Sequence, residues 1–397
     1  MRSPARPTPQ VLILFIAAAL ALNQVRATAA TWGTFILHHP GFSDFSSSFY
    51  LMARVGLHLG WSRLYDLGAQ RQEWLALGGP AAMPWFPTLL APPVAWLAAP
   101  FALLPLPVAL AGWTALLVGL LFLGCHLVAP GRTRLARWTA VSAALALFPV
   151  LFAVVLGDVL IVELVAVAAA WSFLRQRREV VAGLLLTALV FKPQVAFLVP
   201  FTLLVVGYWR TVLSWAAGSA AIVAVAVATT GLDGLHAWAL RIVAAAAAGP
   251  EVLVPAQFTI QGLLGHGIGP LLVRCVIVVL TLAVAYRQRA AGIAMPMAVG
   301  LVGSLLVTPY LHDQDLATLL LAGAIALHAS LDQWQRRILY AGYLLLLAIS
   351  YWGFDGRGVL LGPVLVVTEV AWLLAAWRLT AAPTAATPLE SLSQTAA

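Results

Sequence analysis

Long apolar runs separated by short polar stretches dominate this 397-residue chain and constrain its fold more than any other feature. Several runs reach about 17–20 residues, the length that a helix needs to cross the hydrocarbon core of a bilayer. Inside a bilayer every backbone N–H and C=O must be paired within the segment, which favours α-helices. Residues 212–230 are apolar on all sides, whereas a soluble helix would carry a polar face. The sequence therefore predicts an all-α integral membrane protein.

The composition agrees with this prediction. Hydrophobic residues make up 62% of the chain and charged residues only 9%, compared with about 25% charged residues in soluble domains. A formal net charge of +8 could attract nucleic acid, but the basic residues lie in short clusters between apolar runs. Clusters of this kind are typical of topology signals. We therefore expect the lipid bilayer, and no nucleic acid, as a partner.

The apolar runs predict about twelve membrane-spanning helices. They occupy residues 9–25, 107–129, 136–156, 159–174, 180–192, 194–208, 211–230, 271–286, 292–308, 314–330, 337–352 and 360–378. Whether the proline-rich stretch 86–104 also crosses decides the topology. If it stays on one side, the arginine clusters share one face, as the positive-inside rule requires. The stretch is therefore predicted to lie at the outer interface.

A single transmembrane domain is predicted over residues 1–378, followed by a disordered cytoplasmic tail at 379–397. Its long outer loops are expected at 31–106 and 231–270. Apolar residues at helical spacing predict an amphipathic interfacial helix over 46–59 in the first loop. Residues 1–29 fit a cleaved signal peptide as well as a retained first helix. The predicted location is the inner or plasma membrane, with several passes.

This topology gathers six ionisable residues on the extracytoplasmic face. They are Asp44, Asp158, Lys192, His312, Asp313 and Asp315. Ionisable groups near membrane depth are costly and usually serve function. Lys192 is the only lysine in the chain, and on the outer side it is no topology signal. It would either hold an anion or snorkel to the interface.

The order of the motifs along the chain is distinctive. In sequence they are Gly41-Phe42-Ser43-Asp44-Phe45, Tyr50, Leu64-Tyr65-Asp66, Ala91-Pro92-Pro93, Pro100 to Pro105, Trp113, Gly157-Asp158, Lys192-Pro193, Thr308-Pro309-Tyr310 and Asp315-Leu316. Over roughly residues 30–330 this order resembles the polyprenol-phosphate-mannose-dependent mannosyltransferases of glycosyltransferase family 87, within the GT-C superfamily. The resemblance implies a GT-C-type bundle of about twelve transmembrane helices with interfacial helices in the first outer loop.

The resemblance also implies an activity. Such an enzyme moves a sugar, typically mannose, from a polyprenyl-phosphate donor to an acceptor hydroxyl on the extracytoplasmic side, and the acceptor would be a glycolipid or glycan. The family's catalytic base carries over to Asp44, its lysine before proline to Lys192, and its Pro–aromatic motif to His312 and Asp315. Many relatives have Gly-Gln where this chain has Gly157-Asp158, and Ser where it has Thr308. The role of Asp158 and the identity of the sugar therefore stay open.

These residues suggest how the site would work. Asp44 would take the proton of the acceptor hydroxyl, and a single base suffices for inversion at the sugar. The donor phosphate would be held by Lys192, His312 and Arg241, without a metal or other cofactor. The sugar or acceptor would be bound by Asp158, Tyr50, Gln194, Tyr310, Asp313, Asp315, Gln257 and Gln261.

Each of these residues also has a structural interpretation. Asp44 could cap the helix over 46–59, and Asp313 and Asp315 could cap a helix starting at Leu316. Gln257 and Gln261 could simply belong to a flexible glycine-rich loop, and Glu163 could line the site or pair with an arginine. A transporter or flippase of a lipid-linked sugar is the alternative function, since transporters also hold polar groups inside the membrane.

Overall fold

The structure is a computed structural model that describes residues 9–79, 89–131, 133–247, 258–265, 267–352 and 359–378. Within these ranges the chain is helical and contains no β-strand. The α-helices are α1 (Pro9–Thr28), α2 (Thr34–His38), α3 (Leu51–Leu59), α4 (Leu67–Ala76), α5 (Pro92–Ala102), α6 (Leu106–Val128), α7 (Arg134–Leu145), α8 (Phe148–Leu156), α9 (Leu160–Arg175), α10 (Glu179–Leu186), α11 (Leu198–Val205), α12 (Trp209–Ala247), α13 (Ile260–Leu264), α14 (Ile268–Arg287), α15 (Ala294–Val307), α16 (Ala317–Ala326), α17 (Gln333–Trp352) and α18 (Gly362–Ala375). Short 3₁₀ and π-helical turns join several of them.

Four helices of the described chain are long and apolar enough to cross a membrane. They are Pro9–His38, Leu106–Val128, Trp209–Ala244 and Ile268–Arg287. The pair α7 and α8 passes the same test together but is bent by 73° at its junction, and it would provide a fifth span. The prediction of a helical membrane protein is confirmed.

The predicted number of about twelve spans is not confirmed, because several apolar runs form short helices. α10 and α11 have 8 residues each and α16 has 10. At 1.5 Å per residue they reach only about 12–15 Å, half the hydrocarbon thickness. Every residue of α15 is buried in the protein. The apolar character of α15 thus reflects burial against other helices, whereas α10 and α11 also expose Leu184 and Leu204. Hydropathy alone cannot distinguish these two situations.

The segment predicted to form the first outer loop is more buried than expected. Residues 45–59 are helical, as the spacing of their apolar residues predicts. However, Phe49, Met52 and Val55 are at most 1% exposed, and this segment packs against α5 and α6. Its apolar face therefore contacts protein, whereas we expected it to contact the membrane surface. α5 has 11 residues, too few to cross a bilayer.

Two other expectations also change. α12 continues to Ala247 through a break at Gly231, whose φ is 70°, so residues 232–247 are helical where a long loop was expected. Helix Pro9–His38 runs through the cleavage point of the signal-peptide alternative and packs against α7. The predicted tail at 379–397 lies outside the described residues.

Three breaks between helices each carry a buried charged residue of the predicted site. They fall between α8 and α9, between α10 and α11, and between α15 and α16. Non-helical backbone within a membrane protein is tolerated where protein surrounds it. The polar motifs around Asp158, Lys192 and Asp315 occupy these breaks, and the packing of the surrounding helices brings them together.

Candidate active site

A buried ion-paired cluster lies where the three breaks meet. The Lys192 Nζ atom is 2.8 Å from Asp158 Oδ2 and 2.6 Å from Asp315 Oδ1. The three residues are 5%, 2% and 0% exposed. Removing charges from water is costly unless they are paired and hydrogen-bonded. The lone lysine is thus neutralised by two carboxylates from distant parts of the chain, so it does not snorkel to a surface.

Asp158 is fixed by its neighbours. Gly157 ends α8 in the left-handed conformation with φ 73°, and its carbonyl accepts a 2.8 Å hydrogen bond from Trp113 Nε1. The Asp158 Oδ1 atom accepts from the Leu160 backbone N–H at 2.9 Å, at the start of α9. Its Oδ2 atom accepts from Gln314 Nε2 at 2.9 Å as well as from Lys192.

Asp315 is held by the turn that precedes α16. Its Oδ2 atom accepts from the His312 backbone N–H at 2.9 Å, and its own backbone N–H donates to the His312 carbonyl at 2.9 Å. Asp315 therefore closes a capping box at the start of the 3₁₀ turn Asp313–Leu316, whereas α16 itself has no side-chain cap, so the predicted cap of a helix from Leu316 is wrong. The other oxygen pairs with Lys192, so the residue both stabilises the turn and belongs to the cluster.

Asp44 lies beside this cluster and is only partly buried. It stands at the start of the π-helical turn Phe45–Tyr50, and its side chain makes no capping hydrogen bond. The capping interpretation is therefore wrong for Asp44. Burial raises the pKa of its carboxyl to about 7; Asp158 and Asp315 also raise it, and Lys192 lowers it. These interactions place Asp44 within electrostatic range of all three cluster residues.

The Asp44 segment is anchored on the α8–α9 junction. The Ser43 hydroxyl donates to the Leu156 carbonyl at 2.8 Å, and the Phe45 ring stacks on Trp113 with centroids 5.1 Å apart. A Cβ atom on Gly157 would lie 2.7 Å from the Phe45 Cβ. The close approach of the two segments therefore requires glycine at 157.

Replacing Gly157 with alanine should lower the free energy of unfolding by about 2–4 kcal/mol, through left-handed backbone strain and overpacking against Phe45. Gly119→Ala is the matched control, because a Cβ at this α6 position meets nothing within 4 Å and should stabilise by up to about 1 kcal/mol. Denaturant melts of both variants in detergent would measure the difference. Equal stability of the two variants would contradict the packing described for Gly157.

The 308–315 motif adds three side chains near the cluster. The Tyr310 and His312 rings lie edge to face with centroids 5.9 Å apart. Burial lowers the pKa of His312, which Asp315 partly offsets. Burial and Asp315 raise the pKa of Asp313 to about 7, and its Oδ1 atom is buried with no hydrogen-bond partner in the described part of the chain. The motif therefore presents an aromatic, an imidazole and an unpaired carboxyl.

Two other predicted residues make hydrogen bonds to other segments of the chain. The buried Tyr50 donates its hydroxyl to the Leu104 carbonyl at 2.8 Å, and Arg241 donates to the Tyr65 carbonyl at 3.1 Å. Gln194 is partly buried in the turn just after Lys192. Gln261 lies in the short helix α13, and Gln257 lies outside the described residues. The structure thus gathers Asp44, Asp158, Lys192 and the 308–315 motif, whereas it ties Tyr50 and Arg241 to other segments.

Two further residues, Gln314 and Glu163, lie at the cluster, although neither was assigned a catalytic or binding role from the sequence. Gln314 is 5% exposed and donates a hydrogen bond to Asp158. Its position next to Asp315 in the sequence could have pointed to this role. Glu163 is 0% exposed and interacts electrostatically with Lys192, Asp158 and Asp315. Glu163 thus lies near the site, one of its two suggested roles, and its carboxylate oxygens have no hydrogen-bond partner in the described part of the chain, so the suggested arginine pair is not found there.

The arrangement offers proton transfer more readily than anion binding. Asp158 and Asp315 are paired with Lys192, whereas the Asp44 carboxyl makes no such ion pair with the described residues and has a pKa of about 7. Among the described residues, no three His, Cys, Asp or Glu side chains are arranged to hold a metal ion. Metal independence stays a prediction.

Comparison with known proteins gives one match. The model of glycosyltransferase family 87 matches residues 90–309, more than half of the chain. The matched segment includes Asp158 and Lys192 and ends just before the turn that carries Asp315. No curated protein and no solved structure matches significantly. With this match added to the helical membrane fold and its buried polar cluster, the chain belongs to glycosyltransferase family 87 and is a glycosyltransferase.

Proposed function

We propose that the protein transfers a sugar, mannose in the first instance, from a polyprenyl-phosphate donor to an acceptor hydroxyl with inversion. The reaction would take place on the extracytoplasmic side of the inner or plasma membrane, without a metal, and a glycolipid or glycan would be the acceptor. The observation that carries the proposal is the partly buried Asp44 beside the ion-paired cluster, with a pKa of about 7. A base is most effective when its pKa lies near the working pH.

In this proposal Asp44 accepts the proton of the acceptor hydroxyl while that oxygen attacks the anomeric carbon. The bond between that carbon and the phosphate oxygen breaks, and polyprenyl phosphate leaves from the opposite face. Of Asp44, Asp158 and Asp315, the last two are held by Lys192, so we assign the base to Asp44; Asp313, whose pKa is also about 7, is tested as a control below. General-base catalysis of this kind contributes about 10²–10⁴-fold.

We propose that Lys192 does not bind the donor phosphate alone. An ammonium group has three N–H donors, and Lys192 already pairs with two carboxylates. With both carboxylates ionised the trio carries a net charge of −1, which would repel a phosphate. We therefore assign the phosphate to the remaining donor of Lys192 together with His312 and the Tyr310 hydroxyl. Arg241, bonded near Tyr65, is the less favoured donor.

The rate of transfer should depend on pH in one direction. Because the base must be ionised, kcat/KM is expected to rise about tenfold per pH unit below pH 7 and to level off above it. The sign follows from the raised pKa of Asp44, since a carboxyl with its usual pKa of 3.8 would give no dependence in this range. Initial rates between pH 5.5 and 8.5 would measure the profile.

Asp313 titrates near the same pH, so Asp313→Asn is the necessary control for the pH profile. The rise through pH 7 should persist in this variant, because Asp313 is not the proposed base. A flat profile in the parent protein, or a profile lost in Asp313→Asn, would contradict the assignment to Asp44.

A transporter of the lipid-linked sugar is the second candidate, and one observation favours it. The ion-paired cluster sits at breaks between short helices, an arrangement that also occurs in transporters. Purified protein in vesicles, supplied with a short-chain polyprenyl-phosphate mannose and a glycolipid acceptor, distinguishes the two candidates. We expect one glycosidic bond for each polyprenyl phosphate released. Counterflow of the lipid-linked sugar without any glycosidic bond would overturn the transferase proposal.

A further inference from the structure

A large apolar cavity lies beside α9. Its volume is about 750 Å³, and α1, α6, α7, α9, α16, α17 and α18 line it. Ile161 and Leu164 face it from α9, whereas Asp158 belongs to the cluster. No member of the ion-paired cluster lines the cavity. The exposed residues Gln10, Gly131 and Thr133 form part of its rim, so it opens at one end.

Two polar side chains in the cavity wall lack partners. Glu369 and Trp372 are 5% and 4% exposed, and both line the cavity. In the described part of the chain, the two carboxylate oxygens of Glu369 and the Trp372 Nε1 atom have no hydrogen-bond partner. Leaving buried polar groups unpaired is costly and rare in native proteins. The two residues are three positions apart on α18, so they stand on one face of the helix.

The chemistry of this pair restricts the ligand that would satisfy it. Indole N–H is a donor only and a carboxylate accepts, so a single hydroxyl group can accept from Trp372 and donate to Glu369. The remaining wall is mostly apolar and suits a hydrocarbon chain, and none of the lining residues that the structure describes is a Lys or Arg. No cation is present among the described lining residues to pair with a phosphate headgroup, so a neutral headgroup fits better. Its volume falls within the range of about 300–1,000 Å³ that is common for ligand sites.

We propose that this cavity binds a neutral long-chain lipid alcohol drawn from the bilayer, with its hydroxyl between Glu369 and Trp372. The site is separate from the proposed sugar-transfer site and does not depend on that proposal. The alcohol fills the cavity with its chain and provides the two hydrogen bonds that the protein itself does not supply.

A photoreactive probe tests this proposal in the full-length protein. The protein is reconstituted in phosphatidylcholine nanodiscs with a long-chain alcohol that carries a diazirine in its chain, and the cross-linked peptides are mapped. We expect labelling to concentrate on the cavity-lining segments of α7, α16 and α18, and excess unlabelled alcohol to suppress it. Trp372→Phe and Glu369→Leu should each reduce this labelling about fivefold, the effect of one lost hydrogen bond.

Three controls make the outcome decisive. Glu369→Gln keeps an acceptor and should label within about twofold of the parent, and Ala140→Trp should abolish labelling by filling the cavity from α7. Gel filtration and melting curves confirm that each variant is folded. The matched alkyl phosphate probe should label only outward-facing helices. Labelling that ignores Trp372→Phe and Glu369→Leu, or a phosphate probe that enters equally well, would overturn the proposal.

Discussion

Replacing Asp44 with asparagine is expected to lower kcat for sugar transfer by about 10²–10⁴-fold, because the amide cannot accept the acceptor proton. The fold should be retained, since the Asp44 side chain makes no capping bond. Its loss also removes a carboxylate repelled by Asp158 and Asp315, so the variant should be no less stable than the parent. Single-turnover formation of the glycosidic bond, followed with radiolabelled donor, measures the change.

Asp66→Asn is the matched control for this experiment. Asp66 is an exposed carboxylate that caps α4 through the Gly68 and Ala69 backbone N–H groups, a role that asparagine also fills. It should transfer sugar at close to the parental rate. If Asp44→Asn transfers sugar as fast as Asp66→Asn, Asp44 is not the base.

Replacing Lys192 with methionine should cost about 3–5 kcal/mol of unfolding free energy, because two buried carboxylates lose their counter-ion. The length of the side chain is nearly kept, so the loss reports the charge and not a cavity. Arg71→Met removes an exposed cation from α4 and should change stability by no more than about 0.5 kcal/mol. Denaturant titration in detergent, followed by tryptophan fluorescence, compares the two variants.

A compensating variant tests whether the stability lost in Lys192→Met comes from the two unpaired carboxylates. Asp158→Asn and Asp315→Asn, added to Lys192→Met, remove the stranded charges and should recover much of the lost stability. Recovery is expected because the cost arises from unpaired buried charge. A Lys192→Met protein as stable as the parent would contradict the buried ion pairs.

The sequence predicts the membrane class and the family well, and it predicts the helix lengths poorly. Apolar runs identify α6 and α14 as spanning helices because hydropathy and length agree there. The run 180–192 also looks like a span, yet α10 stops at Leu186 and a 3₁₀ turn follows. The apolar side chains of such a run are satisfied equally by lipid or by neighbouring helices. Only packing decides between the two.

The candidate site, like the fold, can be predicted only in part from the sequence. Lys192 stands out as the only lysine, and Asp44 stands out by its motif, so both can be proposed from the sequence. The pairing of Lys192 with Asp158 and Asp315 joins positions 34 and 123 residues apart in the numbering, and no local pattern reports contacts at that distance. Tyr50 and Arg241 do not join the site because their side chains have other hydrogen-bond partners. Their polar groups are satisfied by the backbone carbonyls of Leu104 and Tyr65.

The anomeric configuration of the product tests the central claim most directly. Retention needs a second carboxylate that acts as a nucleophile about 5–5.5 Å from the first, whereas the proposal uses Asp44 alone: Asp158 and Asp315 are paired with Lys192, and Asp313 takes no part in the proposed step. Nuclear magnetic resonance of the glycoside, made from a donor of defined configuration, is therefore predicted to show inversion. A retained configuration would contradict a single base at Asp44.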